Sequence, residues 1–147
     1  MFTNSNDILT GRRPVQTPAG AEVLAQRAAI ALVAADLDAN DAGAVGILPA
    51  GCVPVGLTYD SDDLDTNATP TIVASVGLMT ADDNDLASVW VSGITASQNG
   101  TAVVVTSKDL MRVAPAPVDR KFGIKFTAAS ATKAAGTVGL TLQIRAA

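Results

Sequence analysis

The sequence predicts an all-β protein: a single antiparallel β-sandwich or jelly-roll-like domain with an extended N-terminal arm. Three observations carry this. The apolar share is built from small and β-branched residues, with 27 Ala, 16 Val and a further 15 Thr. Val and Thr have stiff χ1 torsions that suit a pleated, half-buried surface. Twelve Gly and seven Pro punctuate the chain with turn signals. Between them, several short segments alternate apolar and polar residues with a period of two. The chain of 147 residues fits one domain, and 48% hydrophobic against 16% charged residues is far from a disordered composition.

Residues 1–20 are expected to form the arm, and residues 21–147 the sandwich. The arm is polar, contains Gly11, Pro14, Pro18 and Gly20, and carries the adjacent pair Arg12-Arg13. Proline fixes φ and lacks an N–H, so this stretch does not belong inside a sheet or helix. It is either a frayed terminus or an extended segment that orders on a neighbouring subunit. Nothing in it has the basic and apolar regions of a secretion signal. The longest strongly apolar run, Ala28 to Ala35, is far short of the roughly 20 residues that span a bilayer.

Residues 21–37 have two readings. Their Ala, Leu, Gln and Glu favour a helix by local propensity. A period of two instead places Leu24, Ala28, Ile30 and Leu32 on one face, with Gln26 as the exception, and the β-rich surroundings favour this long strand. Residues 36–43 then form a turn-rich loop. Val53, Val55, Leu57 and Tyr59 share the next face, and Pro54 confines that strand to an edge or to its own start. Ile72, Ala74, Val76 and Leu78 form another. Val89 and Val91 oppose Trp90 and Ser92, and Val103 and Val105 follow the Asn99-Gly100 turn signal. Phe122, Ile124 and Phe126 make one late strand; Val138, Leu140, Leu142 and Ile144 make the last. These two are expected to pair antiparallel through the loop 128–136. The total is about eight strands, with Tyr59 and Trp90 in the core and Cys52 as a small apolar strand residue.

Composition excludes several chemistries. With no His and one Cys, there is no disulfide framework, no Cys/His zinc site and no His-dependent catalysis. A net charge of −4 disfavours a general grip on nucleic acid. Phosphate-cradling loops and the nucleophile elbow are missing. Thirteen of the fourteen acids are Asp, most of them in two turn-like clusters, 60–65 and 82–85. Aspartate caps backbone donors in such loops, which accounts for them without chemistry. No metal is expected. The acids nearest to a Ca²⁺ site are Asp60, Asp62, Asp63, Asp82 and Asp83, but the EF-hand spacing fails at Leu64. No cofactor and no catalytic residue is expected. Arg120, Lys121 and Lys125 are expected on a solvated strand face.

One resemblance stands out. A polar opening arm, a long apolar segment ending in Asp36-Leu37, a short gap, then Val45-Gly-Ile-Leu-Pro-Ala-Gly-Cys-Val-Pro-Val-Gly-Leu-Thr-Tyr resembles the capsid decoration (cement, or head-stabilisation) proteins of tailed bacteriophages. The Leu48-Pro49-Ala50-Gly51 corner is its most recognisable piece. The resemblance implies a structural virion protein that binds the capsid exterior as a homotrimer, after synthesis in the host cytoplasm. Its partners would be the major capsid protein and its own copies, with no direct nucleic acid and no membrane. Arg12, Arg13, Pro14 and Val15 of the arm are then the capsid-docking candidates. The competing reading is a receptor- or carbohydrate-binding module of a phage tail, fibre or cell surface, which predicts an exposed aromatic platform.

Overall fold

The computed structural model describes residues 1–147. In chain order its strands are β1 (Val23–Leu32), β2 (Ala42–Leu48), β3 (Cys52–Ser61), β4 (Val73–Met79), β5 (Leu86–Ile94), β6 (Ala102–Val105), β7 (Arg120–Ala128) and β8 (Gly136–Ala146). The one short helix, α1 (Lys108–Met111), follows β6. The strands form two sheets, in the orders β1-β8-β3-β6 and β2-β7-β4-β5. Every pairing is antiparallel. Only β4 and β5 are joined as a hairpin. Every other connection crosses from one sheet to the other, which is jelly-roll connectivity.

Residues 23–32 are strand, not helix. The inward positions Ala28, Ile30 and Leu32 are buried, Leu24 and Gln26 are half-buried, and Ala25, Arg27 and Ala31 face out. Ten residues pair in unbroken register with β8. Tertiary pairing has overridden the helix propensity of an Ala-rich segment. In β3, Pro54 lies near the start, beside a bulge between Pro54 and Gly56. The neighbouring β6 pairs only with Leu57 to Asp60, so the missing N–H of Pro54 interrupts no ladder on that side.

Two pairing expectations need correction. β7 and β8 are not a hairpin. β7 lies between β2 and β4, whereas β8 lies between β1 and β3 in the opposite sheet. Their connection is long enough to arch over the end of the sandwich, and it is tied down on the way. Ser130 N donates to Leu37 O, and Ser130 Oγ donates to Leu64 O at 2.9 Å. Likewise Asn99-Gly100 does not close a hairpin between β5 and β6, which lie in different sheets. Gly100 takes up a left-handed φ of +66° in an arch entered through a 3-10 turn at Ala96–Gln98.

β2 gives no alternating signal because both of its faces are covered. Six of its seven residues are buried. The second cover comes from the chain's own N-terminus. Phe2 is buried and its ring lies 5.9 Å from that of Phe126, over Gly43, whose missing side chain leaves the space the ring fills. Ile8 is buried as well. Thr3 donates through its N–H and hydroxyl to Asp36 Oδ1, at 2.9 and 2.7 Å. Asn4 Nδ2 donates to Ala31 O at 2.8 Å. Asn6 Nδ2 donates to Ala29 O of β1 and to Val45 O of β2, at 3.1 and 2.6 Å. β1 and β2 are the outermost strands of their sheets on the same side of the sandwich, so the Asn6 amide fastens one sheet's edge to the other's.

The remaining core is a continuous apolar cluster between the sheets. Trp90 stacks on Phe122 with centroids 5.9 Å apart, and Tyr59 is fully buried.

Replacing Asn6 with Ala removes two donated bonds and the two it accepts from the Ile8 and Leu9 amides. At about 1 kcal/mol per net bond, with the buried carbonyls partly re-solvated, the expected loss is roughly 2 kcal/mol. Denaturant unfolding followed by Trp90 fluorescence measures it. Limited proteolysis of the same variant should show cleavage within residues 1–10 that the parent resists.

Candidate functional site

Past the clamp, the chain leaves the sandwich through a turn. Thr10 N and Gly11 N bond back to Asn6 O and Ile8 O, and Gly11 takes a φ of +76°. Arg12, Arg13 and Pro14 follow, all exposed, while Val15 is half-buried against the core. Arg12 reaches Asp7 at 4.0 Å, but its side chain is 80% exposed, and such a pair contributes close to nothing. Arg13 borders a shallow groove with Asn6, Ile8, Arg27 and Ala29. The structure therefore keeps Arg12, Arg13 and Pro14 together as a short, cationic, solvent-facing segment, with Val15 packed against the core. One end is anchored by the Asn6 clamp and the other by the start of β1.

The acidic candidates are distributed differently. Asp60 pairs with Arg27, Oδ2 accepting from Nε at 3.0 Å and Oδ1 from Nη2 at 2.6 Å. The pair bridges β3 to β1 across β8, passing over Gly139, where a side chain would collide with both groups. The hydrogen bond to Asp60 holds the Arg27 guanidinium above its usual range. Asp62 Oδ2 accepts from Thr137 N at 2.7 Å, and Asp63 Oδ1 accepts from Asp65 N at 3.1 Å. Asp82 accepts from the Thr80 hydroxyl, which lowers its pKa. Asp83 and Asp85 pair with Lys121 and Lys125, at 2.5 and 2.8 Å. These two bridges tie the β4–β5 hairpin tip to the outer face of β7. No three His, Cys, Asp or Glu side chains gather in a metal-ligating group.

Asp65 has a role that its place in an acidic cluster concealed. It is 1% exposed, yet its carboxylate has several amide partners. Thr132 N donates to Oδ1 at 2.9 Å; Ala131 N, Thr71 N and Ile72 N donate to Oδ2 at 2.9, 2.8 and 3.2 Å. Burial alone would raise its pKa. The four amides outweigh that and hold it well below the usual carboxylate range. One side chain thus joins the β3–β4 connection to the β7–β8 arch. An Asp followed by turn residues is the only local signal of this role, and it does not distinguish Asp65 from its neighbours.

Every aromatic side chain is internal: Phe2, Tyr59, Trp90, Phe122 and Phe126 are each at most 5% exposed. The Tyr59 hydroxyl is hydrogen-bonded to Ser97 Oγ at 2.7 Å, and Ser97 Oγ donates to Ser61 Oγ at 2.8 Å. Burial pushes the phenol pKa above its ordinary value. Cys52 is also buried, which pushes its thiol up and makes it a packing residue. The surface thus presents a cationic segment, paired carboxylates and small apolar faces.

No family model and no curated protein matches the sequence. Two solved structures do. A chain of the capsid of Ralstonia phage GP4 superposes with a TM-score of 0.83 and 33% sequence identity, covering 97% of both chains. A chain of the cyanophage Pam1 capsid asymmetric unit superposes with a TM-score of 0.69 and 27% identity, covering 97% of this chain and 96% of that one.

Asp65 sets an expected acid sensitivity. Its folded pKa is depressed, so the stability it contributes is complete above the unfolded value of 3.8 and drains as pH falls below it. Asp65→Asn should flatten that part of the stability curve between pH 5 and 2, measured by thermal unfolding at stepped pH. Asp65→Ala leaves the amides unpartnered and should cost more than about 3 kcal/mol at pH 7.

Proposed function

We propose that this chain, which belongs to the family of phage capsid proteins represented in the Ralstonia phage GP4 capsid, binds the outer surface of a tailed-phage shell as a trimer and stabilises its lattice. The observation that carries the reading is the 33% identity over 97% of the chain to a component of that capsid. A structural role in the virion agrees with how the side chains are used. The candidate carboxylates bond to backbone amides, hydroxyls or basic side chains of the same chain. The buried aromatics leave no stacking platform of the kind a glycan receptor module needs.

The physics of a cement protein is mass action. A ligand that binds only the expanded lattice stabilises that lattice by RT ln(1 + [L]/Kd). A trimer engages several sites at once, so each contact can be weak. That requires a rigid module and a segment that reaches a neighbour. The two sheets, stitched by Asp65 and by Asn6, supply the first. Residues 11–15 supply the second, with Arg12 and Arg13 directed at acidic groups of the major capsid protein.

The test is co-sedimentation with shells assembled from the major capsid protein encoded alongside this chain. The chain should pellet with expanded shells and stay in solution with unexpanded ones. Failure to bind either removes the reading. Within it, the double variant Arg12→Glu/Arg13→Glu should keep its fold, because neither side chain is buried, and should bind expanded shells roughly tenfold more weakly. Equal binding by parent and variant removes the docking role of the arm.

A further inference from the structure

Two cations stand outside the pairing scheme and meet in one groove. Of the ten Lys and Arg, five are in ion pairs: Arg12, Arg27, Lys121, Lys125 and Lys133. Three of the other five, Lys108, Arg112 and Arg120, fall between the start of α1 and the start of β7. Arg112 and Arg120 line an open groove between this segment and the β4–β5 hairpin, together with Asp109 and Trp90. Neither guanidinium is paired with Asp109 or with any other carboxylate of the chain. The groove is fixed from α1. Ser107, its N-cap, donates through the hydroxyl to Trp90 O of β5 and accepts from Leu110 N at 3.0 Å.

Arg120 is the unusual member. It shares its face of β7 with the buried Phe122, Ile124 and Phe126, not with the exposed Lys121. Its side chain therefore starts toward the inside of the sandwich, not onto the solvated face that its place in a charge run suggests. Its Nη2 donates to Ala114 O at 3.0 Å, but its Nε is buried without an acceptor. The indole Nε1 of Trp90, whose ring stacks on Phe122, is buried without an acceptor as well. These are the two side-chain polar atoms of the chain in that condition, and both belong to residues lining this groove. Folded proteins rarely leave a buried donor unsatisfied, and a half-buried cation without a counter-charge is costly too.

We infer that this groove receives the carboxylate of an aspartate or glutamate side chain from a neighbouring protein. An indole and two guanidinium groups have donors only, so they select an acceptor, and a guanidinium matches a carboxylate in plane and spacing. Charge sets the valence. Two guanidinium groups less the Asp109 carboxylate leave the groove one positive charge, which suits a monoanion; a phosphate dianion would meet Asp109 as a repulsive neighbour. The walls supply the rest. Leu78, Val89 and Val113 are apolar and fit the methylene stem of an acidic side chain. At about 330 Å³ the groove is at the small end of ligand pockets, a size for one side chain. The two unsatisfied nitrogens lie just beneath its surface, so seating the carboxylate takes a small outward shift of residues 112–119, which no strand pairing holds. A structural protein of a virion meets other protein chains, and there the group that joins one negative charge to an apolar stem is an acidic side chain. The site is separate from the arm, and it requires neither the arm's docking role nor a trimer.

Trp90 is the chain's one tryptophan, so its indole N–H gives a single nitrogen–proton NMR signal that reads the site directly. The full nitrogen-labelled chain is titrated, at constant ionic strength and to about 50 mM, with a blocked Ala-Glu-Ala peptide, the Ala-Gln-Ala peptide, acetate and inorganic phosphate. The glutamate peptide should move the Trp90 signal saturably. The glutamine peptide should leave it in place, and acetate and phosphate should each act several-fold more weakly. Arg112→Gln, at an exposed position, should keep its circular dichroism and weaken the glutamate peptide roughly tenfold. Arg145→Gln, which removes the same charge from an exposed position in the other sheet, should bind like the parent. No response to the glutamate peptide, an equal response to the glutamine peptide, acetate or phosphate, or undiminished binding by Arg112→Gln overturns the inference. Co-sedimentation with shells, run in parallel, separates this site from the proposed function. A chain that binds shells but not the glutamate peptide loses the groove alone, and one that binds the peptide but no shell keeps the groove and loses the capsid reading.

Discussion

A sandwich of two sheets has two open sides, and the hydrogen-bonding groups of four edge strands face outward there. This chain closes one side with its own N-terminus, and at the other α1 packs on β3 and β5. The closure turns on Asn6. Its amide donates to a carbonyl in each sheet, and its oxygen accepts from the two amides that begin the following turn. With that residue in place, Phe2 and Ile8 are held in the apolar core and Thr3 is held on Asp36. The position of the cationic segment at residues 11–15 follows from the same clamp.

Jelly-roll connectivity imposes a second demand. Nearly every connection crosses between sheets, so the rigidity of the module depends on its arches rather than on hairpin turns. Asp65 meets this demand at one end, where a single carboxylate gathers amides from two connections distant in sequence. A buried charge is costly without partners, but four backbone donors reverse the balance. The salt bridges from Lys121 and Lys125 to the β4–β5 tip do the same on the outer face, with less energy because they are partly exposed.

The sequence makes strand identity legible wherever one face is wet. β1, β3, β7 and β8 alternate because their outer faces meet water, and Pro54 correctly marks the start of a strand. Legibility fails where a second cover arrives from far away in the chain. β2 is buried on both faces by β1, the core and the N-terminus, so it shows no period of two. Pairing is less legible still. The loop 128–136 looks like a hairpin connection when only local sequence is considered. What makes it an arch is a carboxylate more than sixty residues earlier. The same distance hides Asp65 among its neighbours. Sequence composition identifies acids in loops as capping residues, but it does not identify which of them is buried.

The division of labour on the surface follows from these constraints. Four ion pairs, Arg27–Asp60, Lys121–Asp83, Lys125–Asp85 and Lys133–Asp38, tie strands and loops together, and residues 86–107 carry no charged side chain. Most of the carboxylates bond to their own backbone, to a hydroxyl, or to lysine and arginine, so the charges of the loops serve the fold itself. The phenol of Tyr59 and the thiol of Cys52 are buried with raised pKa values, and both act as packing groups of the core.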